Sequence, residues 1–240
     1  MTQRSLPKRR AAWGRPWSAS TSQTSPLRTA SQNVAGNPTV PAAPRVGVLA
    51  LQGDFREHRQ VLESLGADTV AVRRETDLAG IDGLVIPGGE STVIDKLSRA
   101  FGVADPIKAA ISGGLPVYGT CAGLIMVADR ILDGAVTQQS FGGLDVSVRR
   151  NAFGSQTESF ETALAIPVLG EHPMRAVFIR APIVVETGPG VSVLASLVDG
   201  TIVAVEQANI IATSFHPEVT DDYRLHRYFL DRVRQRMLAR

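Results

Sequence analysis

Cys121 is the single cysteine in 240 residues, and it stands in PVYGTCAGLIMV, between an apolar run and a helical apolar pattern. Gly119, Ala122 and Gly123 are small enough for the sharp strand-to-helix turn of a nucleophile elbow. At such a corner the helix N-terminus favours thiolate over thiol. Backbone N–H groups that lack helical partners can hold an oxyanion there. A lone cysteine is more often a small, inert core residue, so the chemistry needs a base. SFHPE at 214–218 offers one. Pro217 pushes His216 into an extended conformation, and in an extended segment residues two apart point the same way. His216 can then face the thiol while Glu218 orients its imidazole. The chain order Cys, His, Glu is no obstacle, because triads are defined by geometry. Taken alone, the tripeptide is more simply a surface turn with a solvated carboxylate.

The apolar patterning sets the strands and helices around these residues. VGVLAL at 46–51 is a continuous apolar run, as in a strand buried on both faces. Residues 56–66 form a helical pattern with Val61, Leu62 and Leu65 inward and Gly66 as its stop. Strands are expected at 69–73, 83–87 and 115–119, and helices at 91–101, 106–112 and 122–129. This alternation implies βαβ units and a mostly parallel sheet flanked by helices. Ligands of such sheets bind beyond the carboxyl ends of the strands, which is where Cys121 falls. The second half changes character. Short β-rich segments at 144–148, 175–179, 191–197, 201–205 and 210–215 suggest an antiparallel or mixed extension of the same sheet. A last helix is expected over about 221–237, with Leu225, Phe229, Leu230, Val233 and Met237 on its apolar side. The fold class is α/β, and no internal repeat is visible.

Bulk properties narrow the function. One cysteine excludes an intramolecular disulfide and points to a reducing, cytoplasmic setting. No apolar stretch reaches the roughly 18–20 residues that span a bilayer. The formal net charge is +2, yet residues 1–44 hold six basic residues and no acid, which leaves about −4 on residues 45–240. The body therefore lacks the basic face of a nucleic-acid binder. Lysines number three against 22 arginines, a balance suggestive of coding bias. Residues 1–44 are rich in Ser, Thr, Ala, Pro and Arg without hydrophobic periodicity, and are expected to be disordered. They fit an annotated start too far upstream, a dispensable extension or an organellar transit peptide. They hold no apolar core of a secretory signal. The folded domain is expected over 45–240. No Cys/His metal cluster is present in the sequence.

Together, GVLALQGDFREH, PGGEST, YGTCAGLI, RRNAFGSQ, VFIRAP and SFHPE resemble the class I, triad-type glutamine amidotransferases. They are most similar to the glutaminase subunit of the two-component pyridoxal 5′-phosphate synthase. Six motifs in order, from about Val46 to the C-terminus, are far more specific than a lone GxCxG. The resemblance implies a flavodoxin-like sheet with Cys121 as nucleophile and His216 with Glu218 as the relay. It implies that Gly88 and Ala122 give backbone N–H groups to the oxyanion. Gly89, Glu90, Ser91, Arg150, Ile179 and Arg180 would hold L-glutamine, and Gln52 and Gly53 would form a loop that responds to a synthase partner. Free glutamine is zwitterionic, and Arg suits its carboxylate while Glu90 suits its ammonium. Without the family pattern, Arg149 and Arg150 are indistinguishable. His58 is expected to be structural, and His172 and His226 exposed. Ser155 departs from the familiar pattern, where a basic residue is more usual.

The activity implied is hydrolysis of L-glutamine to L-glutamate and ammonia, which passes to a synthase subunit that builds the vitamin B6 cofactor. No metal or bound cofactor is expected in this chain. Alternatives are a glutaminase serving another synthase, a γ-glutamyl hydrolase, or a catalytically silent regulatory or scaffold subunit.

Overall fold

A computed structural model of the chain describes residues 42–150, 152 and 159–240. The disorder expected for residues 1–44 concerns residues almost wholly outside this set, as does Ser155. In chain order the first half holds β1 (Arg45–Leu49), α1 (Phe55–Ser64), β2 (Asp68–Val72), β3 (Gly83–Ile86), α2 (Ser91–Ala100), α3 (Ala104–Ser112), β4 (Val117–Thr120) and α4 (Ala122–Val127). The second half holds β5 (Ala128–Ile131), β6 (Leu144–Arg149), β7 (Ser159–Leu164), β8 (Met174–Ile179), β9 (Ile183–Thr187), β10 (Ser192–Ser196), β11 (Ile202–Gln207), β12 (Ile210–Thr213) and α5 (Arg224–Leu238).

Strands β2, β1, β3, β4 and β12 lie side by side and pair in parallel. Beyond β12 the sheet turns antiparallel through β11, β9 and β6, with β5 parallel to β6 at the edge and β10 antiparallel to β11. The expected parallel sheet with a mixed extension is therefore present. The segment 175–179 is the exception: as β8 it pairs with β7 in a separate two-stranded sheet.

The inner parallel strands β3, β4 and β12 are buried along their whole length, because side chains alternate between two covered faces. Leu84 and Ile86 of β3 join the cluster that includes Ile94 of α2, Ile107 of α3 and Leu124 of α4. Val85, between them, joins Leu62 of α1 and Phe229 and Leu230 of α5 on the other side. Helices thus sandwich the sheet.

Two boundaries differ from the sequence expectation for identifiable reasons. Helix α4 stops at Val127, and β5 follows at once. The Met126 carbonyl, which a longer helix would offer to residue 130, accepts from Phe141 N–H at 2.6 Å and Gly142 N–H at 3.3 Å instead. Helix α5 begins at Arg224, whose N–H donates to the Asp222 carboxylate at 3.2 Å. His226 is fully buried, on the apolar face with Leu225, Phe229 and Leu230, which corrects the expected exposure; His172 is exposed. Among the described residues no helix is long and apolar enough to cross a membrane.

Candidate active site

The corner at Cys121 forms because β4 ends between two neighbours that hold it. Cys121 N–H donates to the Thr213 carbonyl at 2.8 Å, continuing the β4–β12 ladder, and its own carbonyl accepts from Leu124 N–H at 3.1 Å, opening α4. Its backbone sits at φ 49°, ψ −104°, a region that costs a non-glycine residue about 1–3 kcal/mol. The close seat of α4 requires Gly123, where a Cβ would lie 2.0 Å from the Ile86 carbonyl oxygen. Small residues around the thiol are thus a packing requirement.

His216 arrives from the end of β12. Its N–H donates to the Val177 carbonyl of β8 at 2.9 Å, so the small second sheet anchors the segment. A single 3-10 turn, Pro217–Val219, follows and brings Glu218 back under the ring. His216 Nδ1 bonds Glu218 Oε1 at 2.7 Å. Gly88 lies against the ring: a Cβ there would be 2.4 Å from His216 Cε1. Burial alone would lower the His216 pKa, but hydrogen bonding to Asp54, Cys121 and Glu218 pushes it up to about 12. Burial raises the Glu218 pKa, against the pull of His216. The elbow thiol thus stands beside an imidazole whose charged form is favoured.

The loop after β1 closes one side. Gln52 Oε1 accepts from Glu90 N–H at 2.6 Å, and Asp54 N–H donates to the Gly88 carbonyl at 3.2 Å. Gly53 between them is at φ 94°. Residues 52–54 are therefore latched to PGGE rather than standing free.

A cavity of about 320 Å³ opens over Cys121 and His216. Gln52, Gly53, Gly89, Glu90, Ser91, Ala122, Arg150, Ile179 and Arg180 all line it. Gly88 and Glu218 stand behind that lining, against the ring and beneath it. Two of the wall charges pair with each other: Arg150 donates to Glu90 Oε1 at 2.8 Å, and also to Gln138 Oε1 at 2.9 Å. Arg149 turns away to Asp133 at 3.5 Å, so the structure separates the two arginines. The Ile179 carbonyl lies 3.9 Å from Cys121 Sγ, and Arg180 holds a positive φ of 47°.

Sequence reasoning missed four contributors. Asp54 lines the cavity and reaches His216 Nδ1 at 3.4 Å; its place two residues after Gln52 was the available signal. Ile125 and Pro182 give the cavity apolar wall; Ile125 lies one helical turn after Cys121. Gln138 ties Arg150 to Ser91 Oγ, donating to it at 2.9 Å, and nothing in its surroundings in the sequence marks it. Asp54, His216 and Glu218 each offer a ligand atom within 4.8 Å of the others, as a metal would require. The Glu218 bond, however, occupies the very nitrogen that a metal would take.

A family model, the SNO glutamine amidotransferase family, matches residues 48–235. The chain belongs to that family. Family membership thus spans the folded body from β1 into α5. Pyridoxal 5′-phosphate synthase subunit PdxT of Clavibacter sepedonicus is 67% identical over 190 residues, covering 79% of this chain and 91% of that one. The PdxT subunit of Leifsonia xyli subsp. xyli is 64% identical over 195 residues, covering 81% and 98%. A crystal structure titled as a glutamine amidotransferase is 48% identical with a TM-score of 0.73, covering 78% of this chain and 98% of its own. The sheet order that carries the elbow is thus that of the glutamine amidotransferases.

Proposed function

We propose that this chain is the glutaminase subunit of a pyridoxal 5′-phosphate synthase, working in the reducing cytoplasm. One observation carries the proposal: Cys121, at a strained elbow, shares a cavity with His216, whose far nitrogen Glu218 holds at 2.7 Å. The relatives named PdxT support the choice of synthase.

In the proposed reaction the Cys121 thiolate attacks the side-chain amide carbon of L-glutamine. The oxyanion of the tetrahedral intermediate is held by the N–H groups of Gly88 and Ala122. His216 protonates the departing ammonia, and a glutamyl thioester remains. Thioester formation removes the thiolate charge that helps raise the His216 pKa. The ring then loses its proton more readily and can activate the water that releases glutamate. Arg150 faces the substrate carboxylate. Glu90 faces the ammonium, and Ile125 and Pro182 contact the methylene chain. Gly89, Ser91, Ile179 and Arg180 complete the pocket.

Ammonia then passes to the synthase subunit. Gln52 and Gly53 form the face that responds to that partner. A single added oxyanion donor is worth about 3–4 kcal/mol, or roughly 10²–10³ in rate. Steady-state glutamine hydrolysis, titrated with the synthase subunit, tests the proposal. A rise in turnover of that size, with formation of pyridoxal 5′-phosphate from sugar phosphates, is expected. No hydrolysis by a demonstrably formed complex would overturn it.

A further inference from the structure

Beneath the site lies a buried polar cluster that the proposed mechanism does not use. His58 of α1 and His226 of α5 are fully buried, and His58 Nδ1 meets His226 Nε2 at 2.9 Å. On its other edge, His58 Nε2 lies 3.0 Å from Thr120 Oγ1 and 3.4 Å from Glu218 Oε2. Glu218 Oε2 and His226 Nδ1 are buried without hydrogen-bond partners of good geometry. Tyr118 packs edge-on against both imidazoles. The groups facing His58 are therefore His226 from α5, Thr120 and Tyr118 from β4, and Glu218 and His216 from the segment after β12. Asp54 stands one turn earlier on its own helix.

These contacts select one arrangement of protons. If Nε2 of His58 lacked a proton, its lone pair would face a buried carboxylate oxygen. A proton there instead bonds Thr120 Oγ1 at 3.0 Å and turns the positive end of the ring toward Glu218 Oε2, 3.4 Å away. In a neutral ring, Nδ1 must then be an acceptor, so His226 donates from Nε2. Of the ring nitrogens in the pair, the His226 Nδ1 lone pair alone is then left without a partner. The opposite arrangement would bury an unpartnered N–H on His226 and leave two acceptors facing each other under the site, and unpaired buried groups are costly. Burial, the largest cause, lowers both histidine pKa values, His226 to about 3, in keeping with two neutral rings.

We propose that His58 is a positioning residue of this site: its Nε2–H, bonded to Thr120, stands 3.4 Å from Oε2 of Glu218 and steadies that oxygen electrostatically, so that Oε1 is presented to His216, and His226 fixes the tautomer that allows it. This rests on the glutaminase proposal above. Helix α1 then grips both members of the pair, with Asp54 at the ring and His58 at the carboxylate.

The test uses the full chain bound to its synthase subunit. His58→Leu should lower kcat roughly 10- to 100-fold with KM for glutamine within about twofold, because the reacting groups and not the pocket are misplaced. His58→Gln, which keeps an N–H near the same point, should recover most of that loss. His226→Leu should cost several-fold alone and little more on top of His58→Leu, since the two act in series. Equal losses in the Leu and Gln variants that simply follow melting temperature, or unaltered kcat in a folded His58→Leu, would overturn the proposal. Should the variants not fold, ¹⁵N spectra of histidine-labelled wild-type chain decide directly: His58 must carry its proton on Nε2, and a proton on Nδ1 would overturn it. Cys121→Ala is assayed in parallel. If wild type hydrolyses glutamine and Cys121→Ala does not, the glutaminase proposal stands whatever His58 does. If wild type is inert, that proposal falls and the positioning role falls with it.

Discussion

Asp54 Oδ2 lies 3.4 Å from Nδ1 of His216, the same nitrogen that Glu218 holds at 2.7 Å. The two carboxylates are not equivalent. The Glu218 side chain is fully buried, whereas that of Asp54 is 43% exposed, so solvent screens Asp54 and its pairing is worth about 0–1 kcal/mol. Glu218→Gln should therefore cost on the order of 10²–10⁴ in kcat, as in other triads, and His216→Ala at least on the order of 10³. Asp54→Asn should cost less than about tenfold. Its signature lies in the pH profile. Asp54 favours the charged ring, so without it His216 deprotonates at lower pH and the alkaline loss of activity should begin earlier. Identical alkaline limbs in wild type and Asp54→Asn would show that the contact has no electrostatic weight.

Cys121→Ala should abolish hydrolysis, and an electrophilic glutamine analogue should label Cys121 in wild type with one equivalent. The backbone adds a second expectation. Residue 121 is held at φ 49°, where relief of strain is worth about 1–3 kcal/mol, against a flexibility cost of about 0.5–1 kcal/mol for glycine. Cys121→Gly should thus be inactive yet melt no lower than Cys121→Ala. Calorimetry of the two variants checks this, and a clearly lower melting point for the glycine variant would contradict the strain.

Arg150 and Arg149 should separate kinetically. Arg150 lines the cavity and is paired with Glu90 and Gln138, whereas Arg149 is half-exposed beside Asp133. Arg150→Ala should raise KM for glutamine by roughly tenfold or more, equivalent to about 1.4 kcal/mol of lost binding. Arg149→Ala should leave KM within about twofold. Inverted effects would mean that the substrate enters from the other side of β6.

Acid should weaken the fold through the buried histidines. Burial holds the His58 and His226 pKa values below the ordinary 6.5, His226 at about 3. Below pH 6.5 the unfolded chain takes up protons that the native chain refuses, so stability falls as pH drops from about 6.5 toward 3. Each such proton amounts to about 1.4 kcal/mol per pH unit. Glu218, with a raised pKa, works in the opposite sense over its own range. His216, raised to about 12, adds stability that is complete below 6.5 and lost toward high pH. Denaturant unfolding from pH 7 to 4 should show a slope smaller by about one proton in His226→Gln than in wild type. Parallel curves would mean that His226 is already charged in the native chain.

What could be read from the sequence and what could not divide along a physical line. Strands β1, β3 and β4 are continuous apolar runs, legible because both faces of a parallel sheet are covered. The elbow at Cys121 was also legible, because small residues act on the local backbone; the pairing of His216 with Glu218 was expected from an extended segment, whereas a 3-10 turn over Pro217–Val219 makes it. The strands β5, β7 and β9, as ADRI, SFETAL and IVVET, were missed. They are short and partly exposed, and only neighbours distant in sequence make them strands. Helix α4 ended early for the same reason: Phe141 and Gly142 claimed the Met126 carbonyl. His226 lies three and four residues before Phe229 and Leu230, so its apolar-face position was visible in the spacing. Its partner was not, because His58 lies 168 residues away. Local sequence therefore specified the chemical groups and the turns that aim them. The tertiary fold alone decided which polar groups meet: Arg150 with Glu90 rather than solvent, Asp54 with His216, and His58 with Glu218. Such pairings depend on side chains converging from separate elements at the carboxyl edge of the sheet, a relation that no local periodicity encodes.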